Sequence, residues 1–156
     1  MTYEAVCWLL LGAYAIHILE EFALDWRGWA QSVLKLPVDW PTFYVTNSGV
    51  VVLGFVAAQT ANTLPVIGLS FAALMLINAT FFHVLPFIVF RGRFSPGLIT
   101  AVTLFYPAAA LAYIVAADAG LIGGGMVATS LAIGAVLMAY PIVLLHLKGR
   151  PYFKQS

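Results

Sequence analysis

Charged residues make up only 8% of the chain, against about 25% in an ordinary soluble domain. That shortage excludes a water-facing globule, because 156 residues of which 63% are hydrophobic leave too little polar surface to coat one. Basic runs are also missing. Seven Lys and Arg stand against six Asp and Glu, a formal charge of +1, and with no cluster to grip phosphates the sequence argues against a nucleic-acid partner. A single cysteine, Cys7, excludes an internal disulfide and any multi-cysteine metal site. What remains is apolar length. The mean hydropathy is +0.99, and the solvent for such a chain is lipid.

A spanning helix needs about 20 mostly apolar residues, and five stretches of that kind lie between charges, prolines and glycines. They run from about Tyr3 to Phe22, Thr42 to Thr60, Leu64 to Phe90, Ser95 to Ala117 and Leu121 to Leu147. The fold class expected is all-α, a polytopic membrane helical bundle forming a single transmembrane domain over residues 1–156. The first stretch has no basic leader, and Glu20 and Glu21 stand where a cleavage site needs small neutral residues, so it is expected to be retained.

Every Lys and Arg falls on one side of such a five-span chain. Arg27 and Lys35 lie between spans one and two, Arg91 and Arg93 between three and four, and Lys148, Arg150 and Lys154 after span five. The positive-inside rule makes that side cytoplasmic. The expected location is the cytoplasmic (inner) membrane, with the amino terminus outside and the carboxyl terminus inside.

The one long link, from Ala23 to Pro41, carries Trp26, Trp29, Val33 and Leu36 at helical spacing, with polar residues on the other faces. An interfacial amphipathic helix over about 24–36 is expected there, as a membrane-surface anchor or as a lid. Ala108, Ala109, Ala110 and Ala112 in span four, and Gly120 with Gly124, suit close helix packing or a homo-oligomer contact.

Ionisable residues inside spans are costly and mark functional sites by default. His17, Glu20 and Glu21 read His-x-x-Glu-Glu near the end of span one. Adjacent glutamates diverge by about 100° on a helix. One is therefore expected to meet His17 and the other to support it, turned toward Arg27 or the headgroups. By the helical rise of 1.5 Å, His17 and His83 both lie about 12 Å inside the boundary and Asn47 about 9 Å. His146 lies about 3 Å inside it. Asn78 and Tyr106 fall nearer mid-membrane, and Tyr14 is one turn above His17. No Lys or Arg lies in any span to neutralise the glutamates. Protonation, an imidazolium or a bound metal must do so.

The string His17-Ile18-Leu19-Glu20-Glu21 in the first span of a small polytopic protein, followed by Asn78 and His83 in span three, resembles the HXXEE family of bacterial membrane proteins. The resemblance implies that His17, Glu20 and Glu21 are signature residues; it implies no reaction.

Three classes of function compete. The first expectation is an enzyme acting on a lipid-like, terpenoid or sterol-like substrate by Glu and His acid–base chemistry, as in isomerisation or cyclisation. His17, Glu20, Glu21 and His83 would be catalytic, and Tyr14, Asn47, Asn78 and Tyr106 would contact substrate, with Trp8 and Phe82 among the apolar lining. Its alternative is a zinc or iron hydrolase or oxidase holding the metal through His17, Glu20 or Glu21 and His83, with His146 as a further ligand. A proton-coupled transporter or a non-catalytic membrane subunit are the remaining readings; the first lacks a full polar pathway across the bilayer, and the second leaves the Glu pair unexplained. The expected partners are membrane lipids and an apolar small molecule.

Overall fold

A computed structural model describes residues 1–148, 150 and 152; Lys154, used above for orientation, lies outside the described residues. Six helices follow one another: α1 (Tyr3–Ala23), a short α2 (Trp26–Trp29) that continues as a widened π turn (Ala30–Leu34), α3 (Trp40–Gln59), α4 (Pro65–Val89), α5 (Leu98–Asp118) and α6 (Met126–Lys148). Five of them, all but α2, are long and apolar enough to cross a membrane. The chain is an all-α membrane protein, and no strand occurs among the described residues.

Local chemistry sets the ends. Thr2 Oγ1 accepts from Ala5 N at 3.2 Å to start α1, and Asp25, in left-handed conformation, accepts from Gly28 N at 3.1 Å to start α2. Asp39 Oδ1 accepts from Thr42 N at 2.8 Å at the head of α3, where Pro41 has no N–H to leave unsatisfied. Two spans are interrupted in the same way. Pro86 in α4 and Pro107 in α5 each follow a π turn, Ala79–Val84 and Ala101–Phe105. A proline clashes with the carbonyl four residues back, and widening the preceding turn relieves the crowding.

α4 is the hub, packing on α3, α5 and α6, while α1 packs on α3 and α5. Its core residues include Phe71, Leu74 and Met75, closed against Leu10, Phe105 and the alanine stripe Ala101, Ala109, Ala112 and Ala116 of α5. The segment after α1 is helical over Trp26–Trp29 and Ala30–Leu34, shorter than the 24–36 expected. Trp29, Ala30 and Val33 are buried against Val38, Phe43 and Leu145, so it lies over one end of the bundle.

Two boundaries differ from expectation because glycine and proline break the chain early. Ser95, Pro96 and Gly97 form a turn before α5, and Leu121 to Gly125 stay outside α6. Gly120 and Gly124 therefore stand in a connection with open space around them, not on a packing face. A glycine that brings two helix backbones together is Gly134 of α6. A Cβ there would lie 2.8 Å from both Ala73 Cβ and the Leu74 backbone nitrogen on α4. Backbone cannot yield as a flexible side chain does, so Gly134→Val should lower the thermal midpoint in detergent by the equivalent of about 1–3 kcal/mol. Gly49, with open space around it in α3, is the control: Gly49→Ala should be neutral or stabilise by up to about 1 kcal/mol.

Candidate functional site

α1 and α4 bring their imidazoles together inside the bundle. His17 lies one turn before Glu21 on a single face of α1, and His83 sits in the π turn of α4. The two rings meet edge to face, with centroids 4.8 Å apart and planes at 88°. Glu21 Oε1 lies 3.5 Å from Nε2 of each ring. Solvent is shut out, with relative exposures of 0% for His83, 1% for His17 and 4% for Glu21. One donor atom from each of the three residues falls within 4.8 Å of the others.

The far nitrogen of each ring is held by a hydroxyl. His17 Nδ1 is 2.7 Å from Thr100 Oγ1, whose hydroxyl donates to Gly97 O at 3.2 Å. His83 Nδ1 is 3.1 Å from Ser95 Oγ, whose hydroxyl donates to Phe82 O at 3.2 Å. A hydroxyl has one proton to give. Where that proton goes to the carbonyl, the hydroxyl accepts from its imidazole, and a hydrogen on Nδ1 leaves Nε2 with a lone pair. Phe82 is four residues before Pro86, which has no N–H to offer that carbonyl. Both Nε2 atoms face the Glu21 carboxylate, and neither has a hydrogen-bond partner among the described residues.

The turn before α5 closes over this group. Gly97 adopts φ +95°, and a Cβ on it would stand 2.5 Å from His83 Cε1 and 2.8 Å from His17 Cε1. Only glycine suits both the backbone and the space. From the other side the Phe105 ring packs 4.2 Å from His17 and stacks on Tyr14 at 5.8 Å.

The two glutamates of the motif part as their 100° divergence requires. Glu20 accepts from the backbone N–H groups of Gly97 at 3.1 Å, Ile99 at 3.2 Å and Thr100 at 2.8 Å. It caps α5 from another helix, where a negative charge is favoured and no local side chain does so. This corrects the expectation that the supporting glutamate turns to Arg27 or the headgroups. Arg27 instead sits 3.9 Å from Asp25 and over the Trp40 ring at 5.2 Å.

His146 is exposed, its Nδ1 2.7 Å from Ile142 O on its own helix, so it does not join the group as a third imidazole. Tyr14 and Asn47 are joined by a 2.7 Å hydrogen bond and, with Glu21, Asn78 and Phe82, line a cavity of about 80 Å³. Tyr106 does not line that cavity, because its hydroxyl pairs with Thr80 at 3.0 Å. Trp8 is turned outward, edge-on to Phe55. Ser95, Gly97 and Thr100 were not singled out from the sequence. The one signal for them was the Pro96-Gly97 pair, which marks a turn and not a site.

Two of the three residues that converge here, His17 and Glu21, belong to the string His17-x-x-Glu20-Glu21, and the matching family model, described as a protein of unknown function with HXXEE motif, covers residues 8–113. The chain belongs to the HXXEE family. No curated protein and no solved structure matches it. In this HXXEE protein the motif thus splits its labour, with one glutamate capping a neighbouring helix and the other meeting the imidazoles.

Gly97→Ala tests the closure. The left-handed backbone alone should cost about 1–3 kcal/mol, read as a lower thermal midpoint. The His17 and His83 ring resonances should shift, because the added methyl displaces both rings.

Proposed function

We propose that this HXXEE protein is a metal-dependent membrane enzyme that acts on an apolar, lipid-like substrate, with His17, Glu21 and His83 holding zinc or ferrous iron. A single observation carries the reading: two buried imidazole nitrogens and a carboxylate oxygen converge, each Nε2 3.5 Å from Glu21 Oε1 without a hydrogen bond, and donor atoms of all three residues lie within 4.8 Å of one another. For bonds of about 2.0–2.2 Å arranged tetrahedrally, donor atoms stand roughly 3.4 Å apart. A shared proton would instead draw the atoms to about 2.6–3.2 Å. The two distances to Glu21 therefore support the metal over acid–base chemistry carried by the same residues.

The donor set fits such an ion. Neutral imidazoles and one carboxylate suit zinc and iron, and Thr100 and Ser95 supply the outer hydrogen bonds that orient metal-binding histidines. When bound, the ion would supply a Lewis acid with an open position, for hydrolysis with zinc or for oxidation with iron. The chain's own part is to hold both lone pairs inward, to exclude water through Phe105 and the Gly97 turn, and to present Glu21 to the cavity. Glu20 positions the start of α5 and with it Thr100.

The side on which the site opens follows from charge. Arg27, Lys35, Arg91, Arg93 and Arg150 all lie in the segments at the end of the bundle nearer the site, so we take that end as cytoplasmic.

Metal analysis by mass spectrometry of protein purified without chelator should find about one zinc or iron per chain. His83→Ala and Glu21→Gln should lose it, while His146→Ala retains it; metal-free wild type that binds neither ion on titration would sink the reading. Catalysis is tested in the host: Glu21→Gln should change the profile of neutral lipids or isoprenoids relative to wild type, and an unchanged profile counts against an enzyme. A periplasmic reporter fused after Ser156 should stay silent, and a cytoplasmic one should be active.

A further inference from the structure

The cavity beside Glu21 has a composition that narrows what it takes. Its polar lining is neutral apart from Glu21: Tyr14 and Asn47, bonded to one another, with Thr42, Thr46, Asn78 and Trp26. Among the described residues no Lys, Arg or His lines it, so none of them matches a phosphate or a free carboxylate, and Glu21 opposes either. Two lining groups are also left unsatisfied. Asn78 is 9% exposed and its Oδ1 has no hydrogen-bond partner; the buried Trp26 Nε1 has none either. A buried acceptor and a buried donor without partners each cost about 1–3 kcal/mol. A ligand that both donates and accepts removes the cost.

The rest of the lining is apolar and leads outward. Val50, Leu74 and Leu137 lie deep, and Thr42, Thr46 and Leu145 are shared with a second hollow of about 450 Å³ between α3 and α6, bordered by Val45 and Leu144. Val45 and Leu144 are exposed on the apolar outer surface, so this hollow faces the hydrocarbon. The smaller space suits a head and the larger one a chain.

We propose that the site takes a neutral single-chain lipid with a hydroxyl and carbonyl head, such as a monoacylglycerol, entering sideways from the bilayer between α3 and α6. Its head lies at Asn78, Trp26 and Glu21, and its chain in the α3–α6 hollow. The inference rests on the reading of His17, Glu21 and His83 as the reacting centre, which the head then adjoins. No covalent step is needed for binding itself, and α2 with its π turn roofs the cavity through Trp26, while Leu36 and Val38 close the same side.

The test uses full-length protein in phosphatidylcholine nanodiscs and a monoacylglycerol analogue carrying a diazirine in its chain. After irradiation, peptide mass spectrometry should place the label on α3 around Val45 and Thr46 or on α6 around Leu144 and Leu145. Unlabelled 1-monooleoylglycerol should compete, and the anionic oleoyl lysophosphatidic acid should not at the same concentration. Asn78→Leu should weaken competition about tenfold, the loss of roughly one hydrogen bond. Thr46→Phe, which fills the shared passage without touching the core, should abolish labelling if Asn78→Leu does not fold. Equal competition by the anionic lipid, or label spread over all outward faces, overturns the proposal. Metal content measured on the same samples separates the two readings: site-specific labelling without metal refutes only the metal centre, and metal without competed labelling refutes only the lipid.

Discussion

A carboxylate inside a membrane bundle must be neutralised, and in this chain no lysine or arginine lies within any span to do it. Among the described residues Glu21 meets two imidazoles, each Nε2 3.5 Å from its carboxylate. Three electron-rich atoms converging in a place of low dielectric repel one another strongly unless a proton or a cation lies among them. Much of the surrounding structure can be understood as holding this otherwise unfavourable arrangement together. The hydroxyls of Thr100 and Ser95 hold the two rings, and the carbonyls of Gly97 and Phe82 hold the hydroxyls.

Those outer partners depend in turn on irregular backbone. Ser95 reaches Phe82 O where Pro86 offers no N–H, and Thr100 stands at the very start of α5, where Gly97, in a left-handed turn, and Glu20, from α1, set the helix end. π turns occur often at functional sites, and here one carries His83 itself while another begins next to Thr100. The irregularities coincide with the site because regular helices would align neither hydroxyl with its imidazole. Hydrocarbon would make the freed carbonyls expensive if they faced lipid, and placing them in the bundle interior, against hydroxyl donors, avoids that cost.

The sequence disclosed the parts of this that depend on composition and period. Five spans followed from apolar length, and the tryptophan-rich segment between α1 and α3 was visible as an amphipathic helix because Trp29 and Val33 share a face. The common depth of His17 and His83 followed from counting residues inward from the boundary, since helical rise is nearly constant. What counting cannot tell is rotation. Which of two adjacent glutamates faces the imidazoles depends on how α1 is turned against α4 and α5, a matter of side-chain packing spread over the whole interface. Ser95 and Thr100 were hidden for another reason. Hydroxyl residues are common in membrane helices and bond their own backbone, as Ser70 does to Val66 O, so nothing in their identity separates a site residue from an ordinary one.

The separation of the motif's glutamates also bears on why they are adjacent. A helix that offers one carboxylate to a neighbour's amino-terminal N–H groups is fixed in rotation about its own axis by that contact. Glu20 engages three such groups at α5, and fixing Glu20 fixes Glu21 about 100° away. Because His17 is one turn from Glu21 on the same face, the same contact aims the imidazole. His17 then reaches Thr100, whose own N–H is one of the groups Glu20 holds. The motif thus forms a closed loop of constraints between α1 and α5, in which the exposed cost of a second intramembrane carboxylate is offset by the orientation it imposes on the first.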